Sequence, residues 1–127
     1  MSDTLRQEFE KNGLLLDIHI NPALHTYRKI PIDPDVLNDL IRSCLTLIHR
    51  YHSRTTVKII CRIISGQQFI CYIKNEGLRL SEAEQKQFTH ECHAVKEKWA
   101  KILEPLNGNI GAEFTRQQSI TFWFSLS

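Results

Sequence analysis

The sequence predicts an α+β fold, a two-layer α/β sandwich in which helices cover one face of a mixed, mostly antiparallel sheet. Three observations carry that expectation. A strand-like alternation lies near the N-terminus, two later pairs of strand-like segments each read as a hairpin, and helical segments with apolar residues at three- and four-residue spacing run between them. With 127 residues, 42% hydrophobic and 24% charged, the chain suits one core between two layers. It reads as a single domain over residues 1–127, with 1–12 as the end of an upstream helix.

The first element expected is a short helix, Thr4 to Lys11, stopped at Asn12-Gly13, where a left-handed turn is available. A strand follows: Leu14, Leu16, Ile18 and Ile20 make one face apolar, while Leu15, Asp17, His19 and Asn21 make the other mostly polar. Asn21-Pro22 ends it, and residues 22 to 32 read as a loop. Asp33-Pro34 supplies an N-cap followed by proline at the first helical position. The long helix that starts there carries Val36, Leu37, Leu40, Ile41, Cys44, Leu47 and Ile48 as an apolar stripe, to about His49.

Thr55 to Ile64 and Gln67 to Lys74 are rich in β-branched and aromatic residues and are joined by Ser65-Gly66, a hairpin turn. Ser81 and Glu84 form a capping box, so a helix begins at Glu82, with a break expected near Thr89 and a continuation through Val95, Trp99, Ile102 and Leu103. Pro105 and Asn107-Gly108 close it. Asn109 to Phe114 and Ser119 to Ser125 read as a last hairpin, and Trp99 and Trp123 are expected in the core.

Composition narrows function. Sixteen basic and fourteen acidic residues are scattered along the chain, so no stretch concentrates charge for nucleic acid. No apolar run reaches the roughly 20 residues of a membrane span, and the N-terminus lacks a signal-peptide pattern, so a cytoplasmic location is expected. Cys44, Cys61, Cys71 and Cys92 have no short paired spacing and are expected as buried reduced thiols. His90, Cys92 and His93, with Cys71 or His49, hold the residue types of a zinc site, but their spacing fits no common zinc pattern and no metal is assigned. His49 and His52 sit near a helix end, where capping is expected rather than catalysis. Asp35, Asp39 and Arg42, and Lys96, Lys98 and Lys101, read as solvated helix faces.

Several segments together resemble the catalytic, ATP-binding domain of sensor histidine kinases, the Bergerat-type fold of the gyrase, Hsp90, histidine kinase and MutL superfamily. They are Phe9 to Leu14 with Asp17 to Pro22, Ile32 to Leu37, His52-Ser53 before Thr56 to Ile59, Asn107 to Ile110 and Ile120 to Leu126. Their order covers nearly the whole chain. The resemblance implies two-component signalling, with a response regulator, a histidine kinase or an upstream dimerisation domain as partner. In the family the phosphoacceptor histidine lies on such upstream helices, and the six histidines here are expected to be something else.

Departures from the family pattern fall on its chemistry. The family's long helix carries a glutamate that orients the attacking group and, four residues on, an asparagine that binds Mg²⁺. Alignment puts Cys44 and Ile48 there: an aliphatic chain has no lone pair for a hard cation, and a thiol is a poor ligand for one. A shift of one turn brings up Arg42 or Thr46 instead. The family's adenine-reading aspartate and its two glycines correspond to Asn75, Gly77 and Arg79, so Asn75 and Gly77 remain as nucleotide-binding candidates. The glycine-rich phosphate segment should lie near Thr89 to Val95, which contains no glycine, and the lid is very short.

The expectation is a degenerate histidine kinase-like domain that works by protein contact, with no assigned catalytic residue. ATP and Mg²⁺ are its cofactors only if the pocket still functions. The contact region expected is the pocket mouth, with Asn75, Glu76, Arg79 and the lysine-bearing helix. Two other readings stand beside it: an active histidine kinase fragment with divergent motifs, and the ATPase-like domain of a phosphotransfer protein.

Overall fold

The computed structural model describes residues 3–20, 33–64, 68–115 and 118–126. Three helices, α1 (Asp3–Glu10), α2 (Pro34–Tyr51) and α3 (Glu82–Leu103), alternate with strands β1 (Leu14–Ile20), β2 (Thr55–Ile64), β3 (Gln68–Asn75), β4 (Asn109–Phe114) and β5 (Ile120–Leu126). A 3₁₀ turn, Glu104–Leu106, follows α3 directly. The expected strand end at Asn21-Pro22, the loop to residue 32 and the Ser65-Gly66 turn lie outside the described residues.

All five strands make one sheet in the order β1-β2-β3-β5-β4. β1 is parallel to β2, and every other neighbour pair is antiparallel. Because side chains alternate across a strand, register sets the two faces. Ile59, Ile73 and Phe122 form one transverse row and Cys61, Cys71 and Phe124 the next, all buried under the helices. The intervening row, Ile60, Tyr72 and Trp123, points to the opposite face and is half-buried. Trp123 is therefore not a core residue as expected; it lies across Gly111, its register partner on β4. Trp99 is in the core.

The helix ends follow from local chemistry. α1 stops one residue before the expected Lys11; Asn12 Nδ2 donates to the Glu8 carbonyl at 2.9 Å, and Gly13 takes φ +94°. The Asp33 carboxylate caps α2 by accepting from the Asp35 N–H at 2.8 Å, with Pro34 in the first turn. The helix runs two residues beyond His49, and its buried set includes Leu45, outside the apolar stripe read from spacing. The wider burial arises because α2 is covered by α1 as well as by the sheet and α3; Arg42, read as solvated, bonds Glu8 of α1 at 3.2 Å and Asp39 at 2.9 Å.

α3 begins at the expected capping box, with both reciprocal bonds made, and runs 22 residues without the break expected near Thr89. It contains neither glycine nor proline, and Phe88, Cys92, Trp99 and Leu103 stay on one buried stripe throughout, so nothing interrupts the ladder. Ile102 is an exposed member of its own turn. Asn107, at φ 54°, then turns the chain into β4.

A side chain at Gly111 meets Trp123 at once: its Cβ would fall on the indole, against Cε2, Cζ2 and Nε1. Gly111→Ala is expected to lower stability by about 1–3 kcal/mol, through displacement of the ring. A fall in the urea midpoint at unchanged slope measures it.

Candidate functional site

The residues aligned with the family's chemical positions occupy very different surroundings. Cys44 and Ile48 sit one turn apart on α2 and are wholly buried. Asn75, the last residue of β3, is 1% exposed, whereas Gly77 is exposed and takes φ +76°.

Asn75 is the centre of a hydrogen-bond network that spacing along the chain did not indicate. Its Nδ2 donates to Thr55 Oγ1 at 3.1 Å and to the Thr56 carbonyl at 3.3 Å. A carbonyl only accepts, so this contact orients the carboxamide and leaves Oδ1 facing His52 Nδ1 at 3.0 Å. The imidazole must then carry its proton on Nδ1. The network ties the C-terminal end of α2 to the start of β2 and the end of β3. His52 does cap α2, but with its backbone N–H, which donates to the Ile48 carbonyl at 2.8 Å; its ring serves Asn75. His49 reaches the other way, its Nε2 lying 3.2 Å from the Asn12 carbonyl at the end of α1.

The segment 76–81 that follows is short and held at both ends. The Leu78 N–H donates to the Gln118 carbonyl at 3.0 Å, the Leu80 N–H to Gln118 Oε1 at 2.6 Å, and Gln85 Nε2 to the Leu80 carbonyl at 3.1 Å. Leu78 and Leu80 turn into the core, leaving Glu76 and Arg79 outside.

Thr89 to Val95, where the family resemblance implies a phosphate-binding segment, is helix, and that helix packs on α2. Three contacts mark the seam. Tyr51 of α2 meets Phe88 of α3 edge to face at 5.0 Å, Arg50 Nη1 pairs with Glu91 at 2.8 Å, and Cys44 lies near Cys92. Phe88 also packs on Phe114 of β4 at 5.6 Å.

Electrostatics along the seam follow from burial and partners. Burial, reinforced by the neighbouring Cys92, pushes the Cys44 thiol far above its ordinary value, and burial pushes Cys92 up to about 12. For Glu91, burial works upward, but hydrogen bonds with Gln87 and Tyr51 and the Arg50 charge outweigh it and hold the carboxyl below its usual range. The Tyr51 hydroxyl is raised by burial and by its hydrogen bond to that same carboxylate.

The histidine and cysteine cluster on α3 is split by helical geometry. His90 and His93 share a face with Glu82, Gln85, Lys86, Thr89 and Phe114 around an open groove of about 670 Å³, and His93 Nε2 lies 3.0 Å from Glu97. Cys92 looks the other way, into the core. Among the described residues no group of three or more His, Cys, Asp or Glu is arranged to hold a metal ion.

Two outcomes follow. Asn75→Ala is expected to cost about 1–3 kcal/mol, because the part-buried bonds to Thr55 Oγ1, the Thr56 carbonyl and His52 Nδ1 are lost together, and chemical denaturation measures it. Cys44 and Cys92 are expected to react with iodoacetamide at pH 8 roughly a hundredfold or more slowly in the folded protein than in urea; equal rates would contradict their burial.

No family model and no curated protein matches the sequence. Solved structures do. The Acinetobacter baumannii histidine kinase AdeS superposes at TM-score 0.63 with 16% identity, over 98% of this chain and 61% of that one. Full-length ShkA, solved in complex with AMPPNP, matches at TM-score 0.67 with 12% identity, over 98% of this chain and 27% of its own. The catalytic domain of histidine kinase ThkA matches at 0.62 with 11% identity, over 97% of this chain and 84% of that domain. This chain thus spans about three fifths of the AdeS chain and about a quarter of ShkA. With five strands in a mixed sheet under three helices, the chain has the fold of the histidine kinase catalytic, ATP-binding domain.

Proposed function

We propose that this protein is a histidine kinase-like domain of two-component signalling that has kept the ATP-binding scaffold, holds nucleotide and Mg²⁺ weakly or not at all, and acts by contact with a partner protein. The observation that carries the reading is the direct packing of α3 on α2, with Cys44 and Ile48 in the core. A family-type metal site needs oxygen donors facing a cleft at those positions. The residues present do not fit that need, since one offers a buried thiol held in its protonated form and the other a hydrocarbon.

The adenine side supports the same reading. Asn75 Oδ1 and Nδ2 are both committed to protein partners, so a base would have to displace His52 or the threonines to be read. No catalytic step is assigned to the chain. Its contact surface is built from the exposed Glu76 and Arg79 and from Lys96, Lys98 and Lys101 of α3; Asn75, expected in that surface, is too buried to belong to it. The partner is a response regulator or a histidine kinase, and the location is cytoplasmic, in keeping with the absence of any membrane-spanning helix among the described residues.

Titration with AMPPNP and Mg²⁺, followed by backbone amide shifts, is expected to give no saturable change below millimolar concentration. Saturation in the micromolar range, with shifts centred on Asn75 and Gly77, would overturn the reading. Arg79→Gly is expected to leave that titration unchanged, whereas a gain in affinity would favour an active kinase domain with divergent motifs.

A further inference from the structure

The inner face of the sheet carries a feature that needs no nucleotide. Cys61 of β2 and Cys71 of β3 are register partners on adjacent antiparallel strands, and their Sγ atoms lie 3.4 Å apart. Directly opposed residues in such a pair have Cα atoms about 4.5 or 5.5 Å apart, and both spacings fall within the range of about 4.4–6.8 Å that a disulfide spans. Only the thiol hydrogens and a rotation of the side chains separate the pair from a covalent bond. Cys44 and Cys92, by contrast, come from α2 and α3 and have no register partner.

We propose that Cys61 and Cys71 form an oxidative modification site, in which a hydroperoxide converts the dithiol to a cross-strand disulfide. The step balances in two stages. The Cys61 thiol gives up its proton, the thiolate attacks one oxygen of hydrogen peroxide and the O–O bond breaks, and the departing hydroxide takes up that proton, giving a sulfenic acid at Cys61 and one water. The Cys71 sulfur then displaces the hydroxyl from Cys61, forming the S–S bond and releasing a second water, so that two thiols are oxidised and one peroxide is reduced.

Geometry and electrostatics give the two sulfurs distinct roles. Cys61 is 6% exposed and Cys71 is fully buried, so peroxide reaches Cys61 first. The hydrogen bond between the two sulfurs holds the Cys61 thiol below its ordinary value against the effect of burial, while the same bond and burial raise Cys71 well above its own. Cys61 is the attacking sulfur and Cys71 the resolving one. The product closes the β2–β3 hairpin covalently across the two central inner-face positions, beneath α2.

The test uses the whole protein and hydrogen peroxide, with thiols counted in denaturant and peptides mapped by mass spectrometry. Titratable thiols are expected to fall from four to two, the Cys61 and Cys71 peptides to become linked with loss of two hydrogens, and dithiothreitol to restore both. Cys71→Ser is expected to raise dimedone trapping at Cys61 about tenfold, since the resolving thiol is gone. Where that variant fails to fold, the mapping of the unaltered protein decides. Four surviving thiols at a peroxide dose that oxidises a free cysteine peptide, sulfinic acid at Cys61 with Cys71 still reduced, or linkage through Cys44 or Cys92 would each overturn the proposal.

Discussion

Helix α2 is buried on three sides, and the contacts on those sides organise the molecule. Leu37, Leu40, Ile41, Cys44, Leu45, Leu47 and Ile48 are all removed from water, a broader apolar arc than a helix lying on a sheet alone requires. The sheet takes one side. α1 takes another, fastened at the surface by Arg42 to Glu8 and by His49 to the Asn12 carbonyl. α3 takes the third, along Phe88, Glu91 and Cys92. The salt bridge on that seam is more than half exposed on its arginine and contributes at most about 1 kcal/mol; the apolar contacts beneath it carry the association.

That third contact bears on chemistry as well as stability. A cleft between α2 and α3 would need a lining of polar groups and a flexible cover, and polar groups placed there without partners would be costly. In this chain the seam is lined by the Cys44 and Cys92 thiols and the Tyr51 and Phe88 rings, with the Arg50–Glu91 pair beside them. The segment leading into α3 is pinned to Gln118 instead of hanging free. The Asn75 carboxamide satisfies its donor and its acceptor within the protein. Such an arrangement stabilises a closed domain, and it is the physical ground on which a contact role is preferred to a catalytic one.

Much of the architecture was legible along the chain, because it depends on neighbours in sequence. Asp33-Pro34 and the Ser81 to Glu84 box start their helices where expected, since a cap bonds groups two or three residues away. The alternation in β1 sorted its faces correctly, and the spacing of Cys44 and Ile48 within an apolar stripe announced their burial. The expected break near Thr89 failed because residues 82–103 contain neither glycine nor proline and keep one buried stripe throughout. Trp123 was placed in the core on hydrophobicity alone; its face was decided by strand parity and by the room that Gly111 leaves for the ring.

What the sequence by itself determined is the set of elements and their order, because caps and periodicity are local properties. What only the tertiary structure decided is which distant groups meet. His52 and Asn75 are 23 residues apart and share a hydrogen bond, Arg50 reaches Glu91 across 41, and Cys61 faces Cys71 through strand register. The strand order and the seating of α3 on α2 bring these pairs together, and both arise from burying apolar surface over the whole chain, a sum that no single segment contains.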